Sequence, residues 1–548
     1  MKRKSVKRML SFVLAGALVV GTLAGCGSKE TESPSADNAA ESNAASTEAV
    51  EEDVTYPLEG NVTLKIAMAE EPAVTASGAK NLFETPLGKA WQEKTGVTIE
   101  VLQLADADAM NLMFAGGDLP DLIWYQFSNY NGGAAKAIKD KIIEPLNDYT
   151  NYLPDMMAAL ESDPDYIKST TTDGGDIIGG PFVRSAEKLK TSAGLIIRQD
   201  WLDDLNLDVP QTPDEVYNVL KAFKEEKGAE VPLSLGQWWL HDITLGNGII
   251  TSAFGLPKCN IYQENGTVHY GYYEPEYKDV LEWLNKLYAE GLLDPNFQTL
   301  DQATQNANIM NGVSGMTVGN NGGVLGTCIN TMKDTDPNYN LSGVAPLVEK
   351  EGDIAMSTHY DNAVNGWYLV MTPNCQNKEA AAKFINYGYT EEGQMLLNFG
   401  IEGESYTNEN GALAYTDLIV NNSEGLTMQQ ALAQYTRSWM QGPMLQREEY
   451  ADMYYQLEQQ KNALTAWSTS NAKDYQYPMT TVADEDASEL SKLASDINVY
   501  SNEMMVKYIT GQESLDNFET EYLATLKDMG VERMIEIYQK ALDNYNAR

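Results

Sequence analysis

The sequence predicts an α/β fold of two lobes with a large helical complement. Three observations carry that expectation. A strand, a helix and a strand follow one another within about forty residues at the start of the folded body. A second strand-and-helix region opens near Leu195, and from about Asp484 to the end the pattern is almost wholly helical. With 548 residues, 43% of them hydrophobic, the chain has material for two or more packed lobes, and it shows no internal repeat.

In the first region Val62, Leu64, Ile66 and Met68 alternate with Asn61, Thr63, Lys65 and Ala67, the period of a strand with one buried face. Residues 86–95 read as a helix with Leu87, Ala90 and Trp91 on one side and Gly96 as its stop. Val97, Ile99 and Val101 alternate again, which completes a βαβ unit and implies a parallel sheet. Asp121-Leu122-Ile123-Trp124-Tyr125, after Pro120, reads as a buried strand emptying into a polar, glycine-containing loop over 126–133. In the second region Leu195-Ile196-Ile197 is a buried strand, followed by a short helix at Asp200-Trp201-Leu202. Thr212-Pro213-Asp214-Glu215 is a helix start, with Thr as N-cap, Pro at the first position and Glu at the third. Val216, Val219, Leu220 and Phe223 form its apolar stripe and Gly228 its end. Further on, 281–288 is helical, Met316-Thr317-Val318 a strand before the loop 319–323, 367–371 a strand, and 379–387 a helix capped by Asn377.

The start of the chain speaks for export. Lys2, Arg3, Lys4, Lys7 and Arg8 precede fifteen apolar or small residues, 9–23, too short to span a bilayer but suited to a secretory signal. Leu23-Ala24-Gly25-Cys26 resembles a bacterial lipoprotein cleavage box, which implies a signal peptide over 1–25 and acyl chains on Cys26; the alternative is an ordinary signal peptide with an incidental cysteine. Residues 26–55 are Ser-, Ala-, Glu- and Asp-rich with few large apolar groups, the composition of a disordered acidic tether.

Composition excludes several functions. Lys and Arg number 38 against 79 Asp and Glu, a formal charge of -41, so nucleic-acid binding is not expected. Three His (His241, His269, His359) and four Cys, all scattered, make neither a zinc site nor a disulfide framework, and no metal or cofactor is expected. Cys259, Cys328 and Cys375 cannot all be paired within one chain, and buried free thiols are the plainest reading. No HExxH, GxSxG or GxxxxGK[ST] is present.

Six stretches in order, MFAGGDLPDL at 113–122, RQDWLDDL at 198–205, YAEGLLDPNF at 288–297, TEEGQMLLNFGIEGESY at 390–406, KYITGQESL at 507–515 and the segment 530–539, resemble the extracellular solute-binding proteins (family 1) of carbohydrate ABC transporters, in the long lipoprotein form of Gram-positive bacteria. The resemblance implies a two-lobe clamshell of the periplasmic-binding-protein type (type II), closing on its ligand by a hinge. By that analogy the first lobe takes 56–180 and 365–418, and the second takes 181–364 and, mainly helical, 419–548. It further implies a monomer held by lipid on Cys26 at the outer face of the cytoplasmic membrane, which binds an oligosaccharide and presents it to a permease. Many relatives carry a calcium loop after the helix that here ends near Gly228; the run Lys227-Gly228-Ala229-Glu230-Val231-Pro232 offers no ladder of oxygen ligands, so none is expected here.

Ligand-binding candidates follow from chemistry and from the family's layout. The chain has 31 Tyr and 9 Trp but only 11 Phe, and an aromatic ring with a polar edge suits a sugar's C–H face and hydroxyl rim. Trp124 and Tyr125 end a strand, where open α/β sheets bind ligands, and smaller relatives stack an aromatic on sugar there. Trp238 and Trp239, read as strand neighbours, would place one ring in the cleft and one in the core. Asn320 and Asn321 match a cleft segment and can both donate and accept. Asp361 and Trp367 lie near the expected crossover, with Tyr360 and Asn365; Asp361 either accepts hydroxyls or is a solvated loop carboxylate. Arg184 either meets an acidic sugar or pairs with a carboxylate. Trp439 and Arg437 complete the set. Glu402, Glu404 and Tyr406 read as structural. The chain is expected to be a binding protein and not an enzyme; a peptide-binding relative, a surface glycan-degrading enzyme, an adhesin and a sensor subunit are the competing readings.

Overall fold

The structure, a computed structural model, describes residues 54–548 apart from Trp439 and Met440. The expected signal peptide, Cys26 and nearly all of the tether lie outside the described residues. Nine strands form the two principal sheets: β1 (Val62–Ala69), β2 (Val97–Leu104), β3 (Leu122–Gln126), β4 (Gly180–Arg184), β5 (Ala193–Arg198), β6 (Met316–Asn320), β7 (Leu341–Val344), β8 (Val364–Met371) and β9 (Met444–Gln446). The first sheet runs β9-β4-β8-β3-β1-β2 and the second β6-β5-β7.

The βαβ expectation holds for β1, which pairs parallel with β2 and β3. The rest of the first sheet is not parallel throughout: β8 returns from the second lobe and inserts antiparallel between β3 and β4. The second sheet is antiparallel throughout. β3 is buried on both faces, since Trp91 packs edge-on against Trp124 on one side and Phe114 against Tyr125 on the other. That is why its sequence is an unbroken apolar run and not an alternation.

Seven helices matter below: α1 (Pro86–Thr95), α2 (Gly133–Lys139), α3 (Pro213–Glu226), α4 (Tyr277–Ala289), α5 (Glu458–Trp467), α6 (Asp484–Thr510) and α7 (Val531–Ala547). α1 starts where the Thr85 hydroxyl accepts from the Gly88 N–H and stops at Gly96, whose φ of 73° is easy only for glycine. α3 carries the expected capping box, with Thr212 and Glu215 satisfying each other's backbone N–H. The helix Lys378–Tyr387 begins after Asn377 as expected, but that side chain makes no capping bond.

Two large apolar cores identify two lobes. One gathers Leu64, Ile66, Ile123, Phe182, Leu369 and Phe384; the other gathers Ile197, Leu220, Leu281, Leu347, Tyr508 and Ile537. β4 and β9 belong to the first sheet, β9 pairing parallel with β4. The first sheet thus takes strands from beyond the boundaries expected at 180 and 418, and a three-residue strand has no periodicity by which a sequence could place it. α5 then packs on β5 and β7 in the second lobe. Cys259, Cys328 and Cys375 are all free and buried. No described helix is long and apolar enough to cross a membrane.

Candidate ligand-binding site between the lobes

A cavity of ≈ 550 Å³ opens between the loop that follows β3 and the segment leading into α6. The first lobe contributes Ser128, Asn129, Asn131, Ser169 and Tyr368; the second contributes Tyr477, Thr480, Thr481 and Ser491, and the crossing segment adds Asn362. The lining contains no Asp, Glu, Lys, Arg or His, in a chain whose formal charge is -41. Ser128, Asn131, Thr481 and Ser491 make no side-chain hydrogen bond to the protein among the described residues, which leaves donors and acceptors free for a ligand.

The walls are braced from behind. Asn129 donates to Gln126 Oε1 at 3.3 Å, Gln126 donates to the Asn365 carbonyl at 3.1 Å, and Asn365 Nδ2 donates to Gln441 Oε1 at 3.3 Å. Asn365 Oδ1 is buried without a partner. On the opposite wall the Tyr477 hydroxyl donates to the Tyr538 carbonyl at 2.8 Å. Gly366 lines the cavity with φ 84°, and a Cβ there would stand 3.0 Å from Ser128 Oγ, so both backbone and space call for glycine.

Where the chain crosses between lobes, charged groups collect. Arg184 Nη1 donates to Asp361 Oδ2 at 2.5 Å. Lys258, 4% exposed, donates to Gln476 Oε1 at 3.0 Å, and Gln476 Nε2 donates to Asn362 Oδ1 at 3.0 Å. Burial pushes the Lys258 ammonium down to about 8, against the pull of the Asp361 charge. Burial likewise lowers His359, favouring its neutral form. A second cavity of ≈ 360 Å³ adjoins this node, lined in part by Glu187, Lys190, Tyr360 and Asp361.

The larger cavity is lined by none of the ligand-binding candidates expected from the sequence that fall among the described residues. Trp124, 4% exposed, lies in the first core with the Arg437 guanidinium 4.7 Å above its ring, and Arg437 in turn bonds both Glu71 oxygens at 2.9 and 2.8 Å. Tyr125 is buried against Phe114 and Phe127. Trp238 and Trp239 stand on a helical turn and not on a strand, yet they divide as a strand pair would: Trp238 is 58% exposed, while Trp239 is buried and donates to Gln302 Oε1. Asn320 is exposed; Asn321 is buried and donates to the Gln460 carbonyl at 3.0 Å, tying its loop to α5. Arg184 and Asp361 satisfy each other, Trp367 is half-buried against the first core, and Trp439 lies outside the described residues. The cavity's own polar groups begin three residues beyond Tyr125, in the loop whose polarity and glycines mark it as a strand exit. Thr480 and Thr481 follow Pro478 in a non-periodic stretch between helices, and that break in pattern is the signal by which a sequence reading could find them.

The family described as bacterial extracellular solute-binding protein matches residues 76–395. The chain is 28% identical over 376 residues to the lipoprotein LipO of Bacillus subtilis (strain 168), covering 65% of this chain and 70% of LipO. It is 24% identical over 577 aligned positions to the fructooligosaccharide ABC transporter substrate-binding protein FusA of Streptococcus pneumoniae serotype 4 (strain ATCC BAA-334 / TIGR4), covering 98% of this chain and 97% of FusA. The crystal structure of the alginate-binding protein AlgQ2 without calcium ion matches with a TM-score of 0.72 at 21% identity, over 90% of this chain and 100% of that one. The shared fold is the two-lobe α/β clamshell of type II.

Proposed function

Because the chain belongs to the family of bacterial extracellular solute-binding proteins, we propose that it captures a neutral oligosaccharide between its lobes by hinge closure and hands it to the permease of an ABC transporter. Its work is binding and not catalysis, in keeping with the substrate-binding protein FusA and the alginate-binding protein AlgQ2. The observation that carries the sugar reading is the ≈ 550 Å³ interlobe cavity, whose lining sets hydroxyls, amides and tyrosine rings among apolar groups such as Phe127, Met479 and Leu490, without a single carboxylate or cation. A peptide would present charged termini that such a lining leaves unanswered, whereas a neutral sugar matches both its rings and its free donors and acceptors. FusA, similar along nearly the whole chain, is named for fructooligosaccharides, which agrees with this class. Acyl chains on Cys26 would keep the protein at the outer face of the membrane, beside that permease; Cys26→Ala should release it, and unchanged anchoring of that variant would overturn the lipid attachment.

The test is a thermal-shift panel of neutral oligosaccharides, uronic-acid oligosaccharides and peptides. A ligand at a hundred times its dissociation constant stabilises by about 2.7 kcal/mol, a readily visible shift. A saturable shift with a neutral glycan, and no cleavage of it on long incubation, is the expected result. A shift with peptides or uronates alone would remove the neutral-sugar assignment.

A further inference from the structure

The two interlobe cavities adjoin. Ser169, Asn362 and Pro478 line both, so these three residues form the neck between the ≈ 550 Å³ and ≈ 360 Å³ spaces. Their chemistry differs on either side. The larger space has no charged lining, whereas the smaller presents Asp163, Asp165, Glu187 and Asp361 with Lys190 and Lys473. Three of the carboxylates are already held in place: Asp165 accepts from the Tyr545 hydroxyl at 3.0 Å, Glu187 accepts from Tyr360 and from Lys190, and Asp361 accepts from Arg184. Carboxylates so fixed still have lone pairs to offer sugar hydroxyls.

We infer that the ligand threads the neck and occupies both compartments, so that this protein selects neutral glycans longer than a disaccharide and seats one end among the fixed carboxylates of the smaller compartment. The inference rests on the sugar reading above and adds to it a chain length and a second subsite. Each compartment falls within the about 300–1,000 Å³ range of small-molecule sites, so each takes a piece of roughly one to two rings. Asn362 sets the neck. Its Oδ1 accepts from Gln476 and its Nδ2 donates to the Tyr477 carbonyl at 3.3 Å, which fixes the amide in one orientation between the two spaces.

The experiment is calorimetric titration of the full chain with malto-, cello-, xylo-, manno-, galacto- and fructo-oligosaccharides of two to six units. In the series that binds, affinity should rise by about tenfold or more beyond the disaccharide. Asn546→Trp fills the smaller compartment from an exposed position at its rim. It should abolish the gain from length while leaving disaccharide affinity unchanged, and that unchanged affinity also certifies the fold. Binding that shows no gain beyond the disaccharide, or a gain that survives in this variant, would overturn the two-compartment inference and leave the sugar reading intact. Absence of binding across every series would overturn the sugar reading itself.

Discussion

Lys258 carries an amine into a place that water hardly reaches, and its pH behaviour follows from that. Its folded value near 8 lies below the ordinary 10.5, so between these limits the unfolded chain binds a proton that the folded chain has lost. Stability therefore rises with pH across this window, and below pH 8 the full cost of about 3 kcal/mol is present. Lys258→Met should be more stable than the parent by about 2 kcal/mol at pH 7, after the loss of the Gln476 hydrogen bond. Urea unfolding at several pH values should show that advantage shrinking toward about pH 10; a constant difference would mean that the amine stays hydrated. Trp124 poses a different question. Its ring is enclosed by Trp91 and Arg437, so Trp124→Ala should cost about 3–5 kcal/mol of stability in the ligand-free protein. A normal melting temperature combined with weakened glycan binding would reassign it to the site.

At the scale of elements, the α3 capping box is the clearest local signal and makes the clearest prediction. Thr212→Ala removes the hydroxyl that accepts from the Glu215 N–H and should destabilise the second lobe by about 1 kcal/mol, read by chemical denaturation. The same box is legible in the sequence because Thr, Pro and Glu each answer a local demand of a helix start. β1, α1 and β2 are legible for a like reason: alternation and a glycine stop are properties of neighbouring residues. What cannot be read is what distant residues decide. β9 is three residues long and exists because β4 offers it an edge. β8 is antiparallel because of where the chain returns, and nothing within its own residues encodes that. Trp124 is the right residue type at a strand end, but Arg437, more than three hundred positions away, covers it. The polar lining of the interlobe cavity consists of serines, threonines and asparagines that locally look like any loop.

For the molecule as a whole, charge is the dominant unbalanced term. With 79 acidic against 38 basic residues, self-repulsion opposes the folded state, and salt should relieve it. Raising ionic strength from about 0.01 M to about 0.15 M shortens the screening length from about 30 Å to about 8 Å. The melting temperature should rise over that range with sodium chloride; a fall would show that attractive ion pairs outweigh the repulsion. Sheet order has a consequence of another kind, in time. Since β8 lies between β3 and β4, the sheet of the first lobe stays split until residues 364–371 arrive. A chain growing from its N-terminus, or threading through a membrane pore in that direction, therefore carries β3 and β4 with bare inner edges while the intervening lobe is delivered, a period in which neighbouring chains can pair with them. The lobe that emerges first is closed only when a strand made roughly 180 residues later slides between its halves, so a chain interrupted before that point is left with an open seam where its first sheet should be continuous.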